Sequence, residues 1–447
     1  MPRIVRETLL SVRDLMLTWG PFLLIALAAL AGAYLLLDPN PPRRVVLATG
    51  PETGAYAAFG KRYEQELKRN GIQVVLRPSN GSRENLRMLH DAKEDVDLAF
   101  VQGGSSESAR AQEEGRNGVP VHSLGSLFYE PVWLFYRQSK AKTLSGLGDL
   151  RGWKVNTGMR GSGAPGLSGR LLAANLMDRE DIQRTSLDET SAVVELLAGR
   201  IDAMVLVSAP ESAIVQMLLQ TPGIGLFEFA QAEAYSRRYA FISPVSLPRG
   251  VVDISRDVPP RELALIAPTT SLVAREGTHP AIVQLFVQAA ARIHSGPGWI
   301  AEAGQFPSAS RSEFPLAKEA ERFYRTGPPL LQRYLPFWLA NLIDRMWVAL
   351  VSIIAILIPL SRILPPLYQF RVRSRVFRWY RQLRHIEDAA EDGSRAPAEL
   401  LADLDQLETR AARIAVPLSH TDELYALRQH IELVRARLAK ARLESAP

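Results

Sequence analysis

The sequence of 447 residues contains no cysteine, which excludes disulfide frameworks, thiolate nucleophiles and cysteine-ligated metal sites and suits an oxidising compartment. It contains seven histidines, and none of them forms the H-x-x-x-H pair of a helical zinc site. A phosphate-binding Gly-Lys-Ser/Thr loop and the Gly-x-Ser-x-Gly turn of serine hydrolases are also absent. The sequence therefore predicts a protein that is not an enzyme and that needs neither a cofactor nor a metal.

The chain has an ordinary globular composition, with 47% hydrophobic and 22% charged residues, and its length predicts more than one domain. Its net charge of +6 lies mainly in one arginine run, which follows the second of two long apolar segments. The run consists of Arg362, Arg371, Arg373, Arg375, Arg378, Arg381 and Arg384. Because it lies beside an apolar segment, it favours the anionic headgroups of a membrane over nucleic acid.

Two apolar segments are predicted to span a membrane. Residues 19–37 carry no charge and have about the 20 residues that a bilayer requires, and residues 344–364 form the second segment. A cleaved signal peptide ending near Ala29-Leu30-Ala31 is an alternative for the first segment, and a buried core helix is an alternative for the second.

The arginine run sets the predicted orientation. Basic residues next to a span stay in the cytoplasm, so residues 1–18 and 365–447 are expected inside, in the inner membrane of a bacterium. Residues 38–335, between the two spans, are then expected outside, in the periplasm.

Residues 38–335 alternate short apolar strands with helical stretches, which is typical of parallel βαβ units. Strands are predicted at 45–48, 72–76, 98–101, 153–156, 203–207, 263–266 and 270–273, with helices at 57–69, 82–92, 165–177, 190–198 and 280–294. A crossing strand is predicted at 131–136, after which the rhythm restarts, and the chain is expected to return near Leu272. This region therefore reads as two α/β lobes.

The C-terminal tail has a different pattern, with leucine-rich helices on either side of a break at 393–397. One helix carries Leu400, Leu404 and Leu407, and the other carries Leu424, Leu427, Ile431, Val434 and Leu438 at alternating spacings of three and four. Such a stripe needs a partner to bury it, so we expect a helical hairpin or self-association through a short coiled coil.

Three glycine-containing loops leave the carboxyl ends of predicted strands and open onto helices, at 49–56, 79–85 and 157–163. Glycine allows close backbone approach, and helix N-termini present N–H groups with positive dipole character. Open α/β sheets bind ligands just outside these strand ends. We therefore expect loops from both lobes to close on one small anion.

Each of these positions also has a simpler interpretation. Gly161-Ser162-Gly163 can be an ordinary turn, Ser82 a helix N-cap, and Asn85 a solvent-facing residue. Tyr56 can pack inside a lobe, and Gln102 can be a polar loop residue. Glu52, Glu84 and Glu130 could supply a carboxylate pair in the cleft. The simpler interpretation is that these side chains are salt-bridged or solvated.

An ordered series of motifs over about residues 45–295 carries a family resemblance: Gly54-Ala55-Tyr56, Gly81-Ser82-Arg83-Glu84-Asn85, Asp97-Leu98-Ala99-Phe100-Val101-Gln102, Glu130-Pro131-Val132, Gly161-Ser162-Gly163 and Ile201-Asp202-Ala203. This series resembles the TAXI solute receptors of tripartite (TRAP) transporters. The resemblance implies an α/β, two-lobed fold like that of periplasmic binding proteins. In this sequence the two-lobed domain is predicted to be flanked by two transmembrane helices and followed by an α-helical tail. Pro51-Glu52, the second span and the tail depart from the family pattern.

The resemblance and the loops together predict a receptor for a small organic acid or amino acid, which a separate membrane permease would take up. The expected ligand-binding residues are Gly54, Ala55, Tyr56, Ser82, Asn85, Gln102, Glu130, Gly161, Ser162 and Gly163. A sensor that relays ligand occupancy to the cytoplasmic tail is an alternative, and a scaffold that binds nothing is a third.

Overall fold

The computed structural model describes residues 3–37, 40–105, 118–178, 180–411 and 421–444. The chain divides into two compact units, Asn40–Asn341 and Met1–Pro39 together with Leu342–Pro447.

The strands are short and their bounds lie close to the apolar runs of the sequence. They are β1 (Arg44–Ala48), β2 (Gln73–Arg77), β3 (Leu98–Gln102), β4 (Val121–Tyr129), β5 (Val132–Arg137), β6 (Lys154–Asn156), β7 (Gln183–Thr185), β8 (Ala203–Val207), β9 (Ile224–Leu226), β10 (Ile242–Leu247) and β11 (Leu263–Arg275).

The helices within the described residues connect these strands or lie outside the α/β unit. They are α1 (Arg3–Leu37), α2 (Ala55–Lys68), α3 (Ser82–His90), α4 (Ala164–Ala174), α5 (Glu189–Leu197), α6 (Ala213–Leu219), α7 (Ala232–Arg238), α8 (Pro280–His294), α9 (Lys318–Thr326), α10 (Phe337–Glu391), α11 (Pro397–Ala411) and α12 (Thr421–Glu444).

The first sheet of the unit Asn40–Asn341 is built around β1. Strands β2 and β3 flank β1 in parallel, and β11 runs antiparallel to β3 and to β4. Its core packs Leu47 of β1 and Phe100 of β3 with Tyr63 of α2 and Phe286 of α8. Since the parallel strands are covered on both faces, their sequences are continuous apolar runs.

The second sheet repeats this arrangement with strands β7, β6, β8, β5 and β9 in that order. Strands β6, β7 and β8 are parallel, and β5 runs antiparallel to β8 and to β9. Trp133 and Phe135 of β5 are buried in its core. The antiparallel neighbour of β3 in the first sheet is β11, and the antiparallel neighbour of β8 in the second sheet is β5. Both β11 and β5 belong to segments that cross between the lobes.

The two crossings lie side by side. The chain passes from β4 to β5 through Glu130 and Pro131, and β11 pairs with β10 along its first half and with β3 and β4 along its second half. The Glu130 N–H donates to the Pro268 carbonyl oxygen at 2.9 Å, which joins the two crossings. The α/β fold in two lobes is thus confirmed, with one continuous strand where the sequence predicted two at 263–266 and 270–273.

In the other unit, the end of α10 packs with α11 and α12 around a shared apolar core. The core consists of Leu383, Ile386, Leu400, Leu404, Leu407, Leu427, Ile431, Val434 and Leu438. Arg435 pairs with Asp405 at 2.8 Å and with Glu408. The predicted leucine stripe is therefore buried within one chain, so burial of this stripe gives no reason to expect a dimer.

Within the described residues, one helical segment, Leu339–Leu360, is long and apolar enough to cross a membrane, by length and composition only. It overlaps the span predicted at 344–364. The apolar part of α1 is shorter, Phe22–Leu37, and the span predicted at 19–37 stays a prediction.

Candidate functional site

A cavity of about 150 Å³ lies between the two lobes, beside their crossings. Most of the predicted ligand-binding residues line it: Gly54, Ala55, Tyr56, Ser82, Gln102, Glu130, Ser162 and Gly163. Asn85 and Gly161 do not. The structure therefore brings strand-end loops of both lobes to one enclosed space.

Tyr56 is the centre of a buried hydrogen-bond network on the cavity wall. Its hydroxyl donates to Glu130 Oε2 at 2.8 Å and lies 3.0 Å from Ser82 Oγ and 3.2 Å from Thr270 Oγ1. The Thr270 hydroxyl donates to the same Glu130 oxygen. The ring stacks on Phe100, with centroids 5.2 Å apart. Packing and polar roles thus coincide in this side chain, which ties α2, α3 and both crossings together.

Ser82 connects this network to β3, because its Oγ accepts the Gln102 N–H at 2.9 Å. The N-cap of α3 is Gly81, so the interpretation of Ser82 as the cap is wrong.

Asn85 is fully buried behind the cavity wall, which contradicts both cavity lining and a solvent-facing side chain. Its Nδ2 donates to the Thr49 carbonyl oxygen at 2.5 Å and the Phe100 carbonyl oxygen at 2.8 Å. Its Oδ1 accepts the Ser79 hydroxyl at 2.6 Å. Asn85 therefore fastens two glycine-containing loops to the sheet and acts on the cavity through their positions.

The loop around Gly161 makes direct contact with the first lobe. The Glu84 N–H donates to the Gly161 carbonyl oxygen at 3.2 Å. Gly161 has φ +96°, and a Cβ there would lie 2.9 Å from the Asn80 Cβ. At Gly163 a Cβ would overlap Gln102 Oε1. Glycine at these two positions therefore permits the lobes to meet around the cavity.

Four helices begin at the cavity wall, two from each lobe. Their N-cap residues Gly54, Gly81, Gly163 and Asp188 all line it. The three glycine caps supply no side-chain cap, whereas Asp188 accepts the Ser191 N–H at 3.0 Å. The first N–H groups of a helix lack intrahelical partners and lie at the positive end of its dipole. Such a wall suits a small group with hydrogen-bond acceptors.

Three acidic residues line the same space, Glu130, Asp188 and Glu189, and the pKa values of the two glutamates are raised. Burial raises the pKa of Glu130, in the first crossing, to about 7, against the lowering effect of the hydrogen bonds from Thr270 and Tyr56. Burial also raises the pKa of Glu189, at the start of α5, to about 7, and Asp188 adds to this. Repulsion from Glu189 contributes to the shift at Glu130, so the two carboxyls sense each other. The carboxylate pair of the cleft is therefore Glu130 with Glu189, whereas Glu84 binds the Asn80 N–H at the surface.

Apart from Ser162 and Gly163, sequence reasoning missed the wall formed by the second lobe. That wall includes Asn156, Met159, Leu187, Asp188, Glu189, Thr190 and residues 204–208. Asp188 carried a usable signal, because an Asp before Glu189 and three residues before Ser191 marks a helix start after a strand.

The hinge cavity between two α/β sheets places the protein in the class of two-lobed folds like the periplasmic binding proteins. More particularly, residues 47–326 match the NMT1-like family, and the chain belongs to this family. No curated protein matches the sequence. The resemblance to TAXI receptors stays a prediction, because the family that matches is the NMT1-like family.

Solved structures similar to this chain include several solute-binding proteins. The periplasmic aliphatic sulphonate binding protein SsuA from Escherichia coli shows 15% identity and a TM-score of 0.37, over 70% of this chain and 83% of that chain. PhnD1 from Prochlorococcus marinus, in complex with methylphosphonate, shows 12% identity and a TM-score of 0.38, over 56% and 83%. The amino acid transporter substrate-binding protein AbpA from Streptococcus pneumoniae, bound to L-arginine, shows 14% and 0.36, over 56% and 89%. These values do not assign the ligands of those proteins to this chain.

Proposed function

We propose that this protein is an extracytoplasmic receptor that captures a small organic acid or amino acid between its lobes and delivers it to a separate permease of the TRAP type. The observation that carries the proposal is the enclosed cavity at the hinge, on which two helix N-termini of each lobe converge. A site assembled from two lobes binds a ligand by closing on it and releases the ligand by opening.

The size of the cavity supports a small ligand. A single water needs about 10–15 Å³ of volume measured in the same way, whereas the cavity offers about 150 Å³. There is thus room for on the order of ten non-hydrogen atoms. The backbone N–H groups at the helix starts suit the carboxylate oxygens of a ligand of this size.

The membrane placement is part of the same proposal. The segment Leu339–Leu360 anchors the receptor, with residues 19–37 as a second span. The arginines that follow, from Arg362 to Arg384, hold the tail in the cytoplasm and bind anionic lipid there.

A thermal-shift screen of the full-length protein in detergent, against small organic acids and amino acids, tests the receptor function. The matched variants are Gly161→Val, where a side chain meets Asn80 of the other lobe, and Gly152→Val, where φ is +76° but the surrounding space is open. Both substitutions strain a positive φ. Gly161→Val should abolish the ligand-induced shift, and Gly152→Val should keep it. Equal shifts in the two variants would contradict closure around this cavity.

A ligand sensor is the second candidate, and the separate apolar core shared by α10, α11 and α12 favours it. Such a core exceeds what a simple anchor needs. Hydrogen exchange in α11 and α12 that changes when ligand binds outside would favour sensing over transport, and unchanged exchange would favour transport.

A further inference from the structure

The cavity has an unusual charge balance for a site that takes an anion. Glu130, Asp188 and Glu189 line it, and its lining contains no lysine, arginine or histidine among the described residues. A ligand with negative charge alone would meet these carboxyls without an opposing basic side chain in the lining. The charge balance therefore calls for a cationic group on the ligand.

Glu189 has a carboxylate oxygen that is available to accept a hydrogen bond from such a group. Its Oε2 is buried and lacks a hydrogen-bond partner, although the residue as a whole is half-buried. In Glu130, by contrast, Oε2 already accepts from Tyr56 and Thr270. A buried acceptor without a donor is rare in folded proteins, and at a cavity wall it points to a donor on the ligand.

On the opposite lobe, Gln102 supplies a hydrogen-bond donor without a partner. The residue is 4% exposed, and its Nε2 is buried without a hydrogen-bond partner. It lies beside Gly163, at the start of α4. Two residues of the cavity lining, one from each lobe, therefore carry a buried polar atom without a partner: a donor in Gln102 and an acceptor in Glu189.

We infer that the ligand is a small zwitterionic amino acid, whose ammonium group donates to Glu189 and whose carboxylate accepts from Gln102 and the helix starts. This inference rests on the proposed receptor function and decides between its two ligand classes. It assigns Glu189 as the residue that selects amino acids over simple organic acids. Met159, Leu187, Met204 and Leu206 line the cavity as well, and they suit a short apolar side chain.

The test is calorimetric titration of the full-length protein in detergent with matched pairs of probes. L-alanine and L-valine are compared with L-lactate and L-2-hydroxyisovalerate, in which a hydroxyl replaces the ammonium group. The amino acids should bind at least tenfold more tightly, because a hydrogen bond to a charged group is stronger than a neutral one.

The variant Glu189→Gln should weaken amino acid binding by about ten- to a hundredfold and leave hydroxy acid binding nearly unchanged. The control Glu195→Gln makes the same chemical change on the same helix, where the side chain pairs with Arg200 at the surface. It should bind like the wild type. The melting temperature of ligand-free Glu189→Gln should not fall, because the substitution removes a buried charge.

The outcomes separate the inference from the function on which it rests. Equal affinity for amino acids and hydroxy acids, or an unchanged affinity in Glu189→Gln, would overturn the inference and leave the receptor function standing. Binding of neither series would overturn both. The comparison of probes uses the wild-type protein, so it decides the matter even if the variant does not fold.

Discussion

Replacing Glu130 by glutamine isolates the electrostatic cost of the carboxyl at the crossing. Glu130 is 3% exposed, and burial raises its pKa to about 7 even though Thr270 and Tyr56 donate to it. Glutamine keeps the shape and has an oxygen that can accept from the same two hydroxyls, but it never becomes charged. Glu130→Gln should therefore stabilise the ligand-free protein wherever the wild-type side chain is ionised.

The pH window follows from the direction of the shift. Because the folded protein holds this proton more tightly than the unfolded chain, the carboxyl favours folding fully below its unfolded pKa of about 4.3. That contribution is lost as the pH rises through the folded pKa of about 7. At about 1.4 kcal/mol per pKa unit, the rise from about 4.3 to about 7 makes this loss at most about 4 kcal/mol. The variant should gain this free energy of unfolding at pH 8 and little at pH 4.5.

Thermal unfolding of the full-length protein in detergent, at both pH values, measures the difference. For a domain of this size, each kcal/mol moves the melting temperature by roughly 2–4 °C. Glu130→Gln should therefore melt several degrees above wild type at pH 8. Glu195→Gln, at the surface, should differ little at either pH. An equal gain at both pH values, or no gain at pH 8, would refute the reasoning that the buried charge is uncompensated.

The other predictions concern the ligand and the tail. Amino acid affinity should fall about tenfold from pH 8 to pH 6 as Glu189 protonates, and calorimetry should find this slope absent in Glu189→Gln. Besides Glu130 and Asp188, no titratable side chain acts on Glu189 from β8 or α6, which pack on its helix. Ser82→Ala should weaken binding about tenfold by titration, since Ser82 holds Tyr56 in place, while the fold persists. In the tail, Leu427→Asp should lower helical circular dichroism, whereas Leu433→Asp, whose leucine is 60% exposed, should not.

The sequence predicted strands that are buried on both faces, and it also predicted β2, which lies at the edge of its sheet and is only partly buried. Strands β1, β3 and β8 read as unbroken apolar runs because helices cover each side of a parallel sheet. The sequence did not reveal β10, whose Pro244 is tolerated because, among the described residues, this strand pairs with β11 alone. It also did not reveal β4, where Gly125 has φ +117° and the pairing with β11 shifts register. The residue pattern within one strand carries no information about which strands it pairs with or where the register shifts.

The candidate site was predictable to the extent that it follows from strand ends. Tyr56, Ser82, Gln102 and Glu130 lie where strands of the first lobe or the first crossing end, and the structure places all four at the cavity. Glu189 was not predicted, because its local sequence specifies only an ordinary helix start. Its importance arises from the position of the second lobe against the first, which depends on the glycines that let the lobes meet.

The crossing and the ligand wall share the same residues, and this has a mechanical consequence. Glu130 is part of the connection from β4 to β5, its N–H is bonded to Pro268 of β11, and its carboxylate is bonded to Thr270 of that strand. The same carboxylate accepts from Tyr56, whose hydroxyl lies at the cavity. In the proposed receptor, a ligand that perturbs Tyr56 therefore acts on both crossings, which are the segments about which the lobes would rotate. In the proposed receptor, ligand binding and lobe closure are therefore coupled through three side chains, those of Glu130, Thr270 and Tyr56.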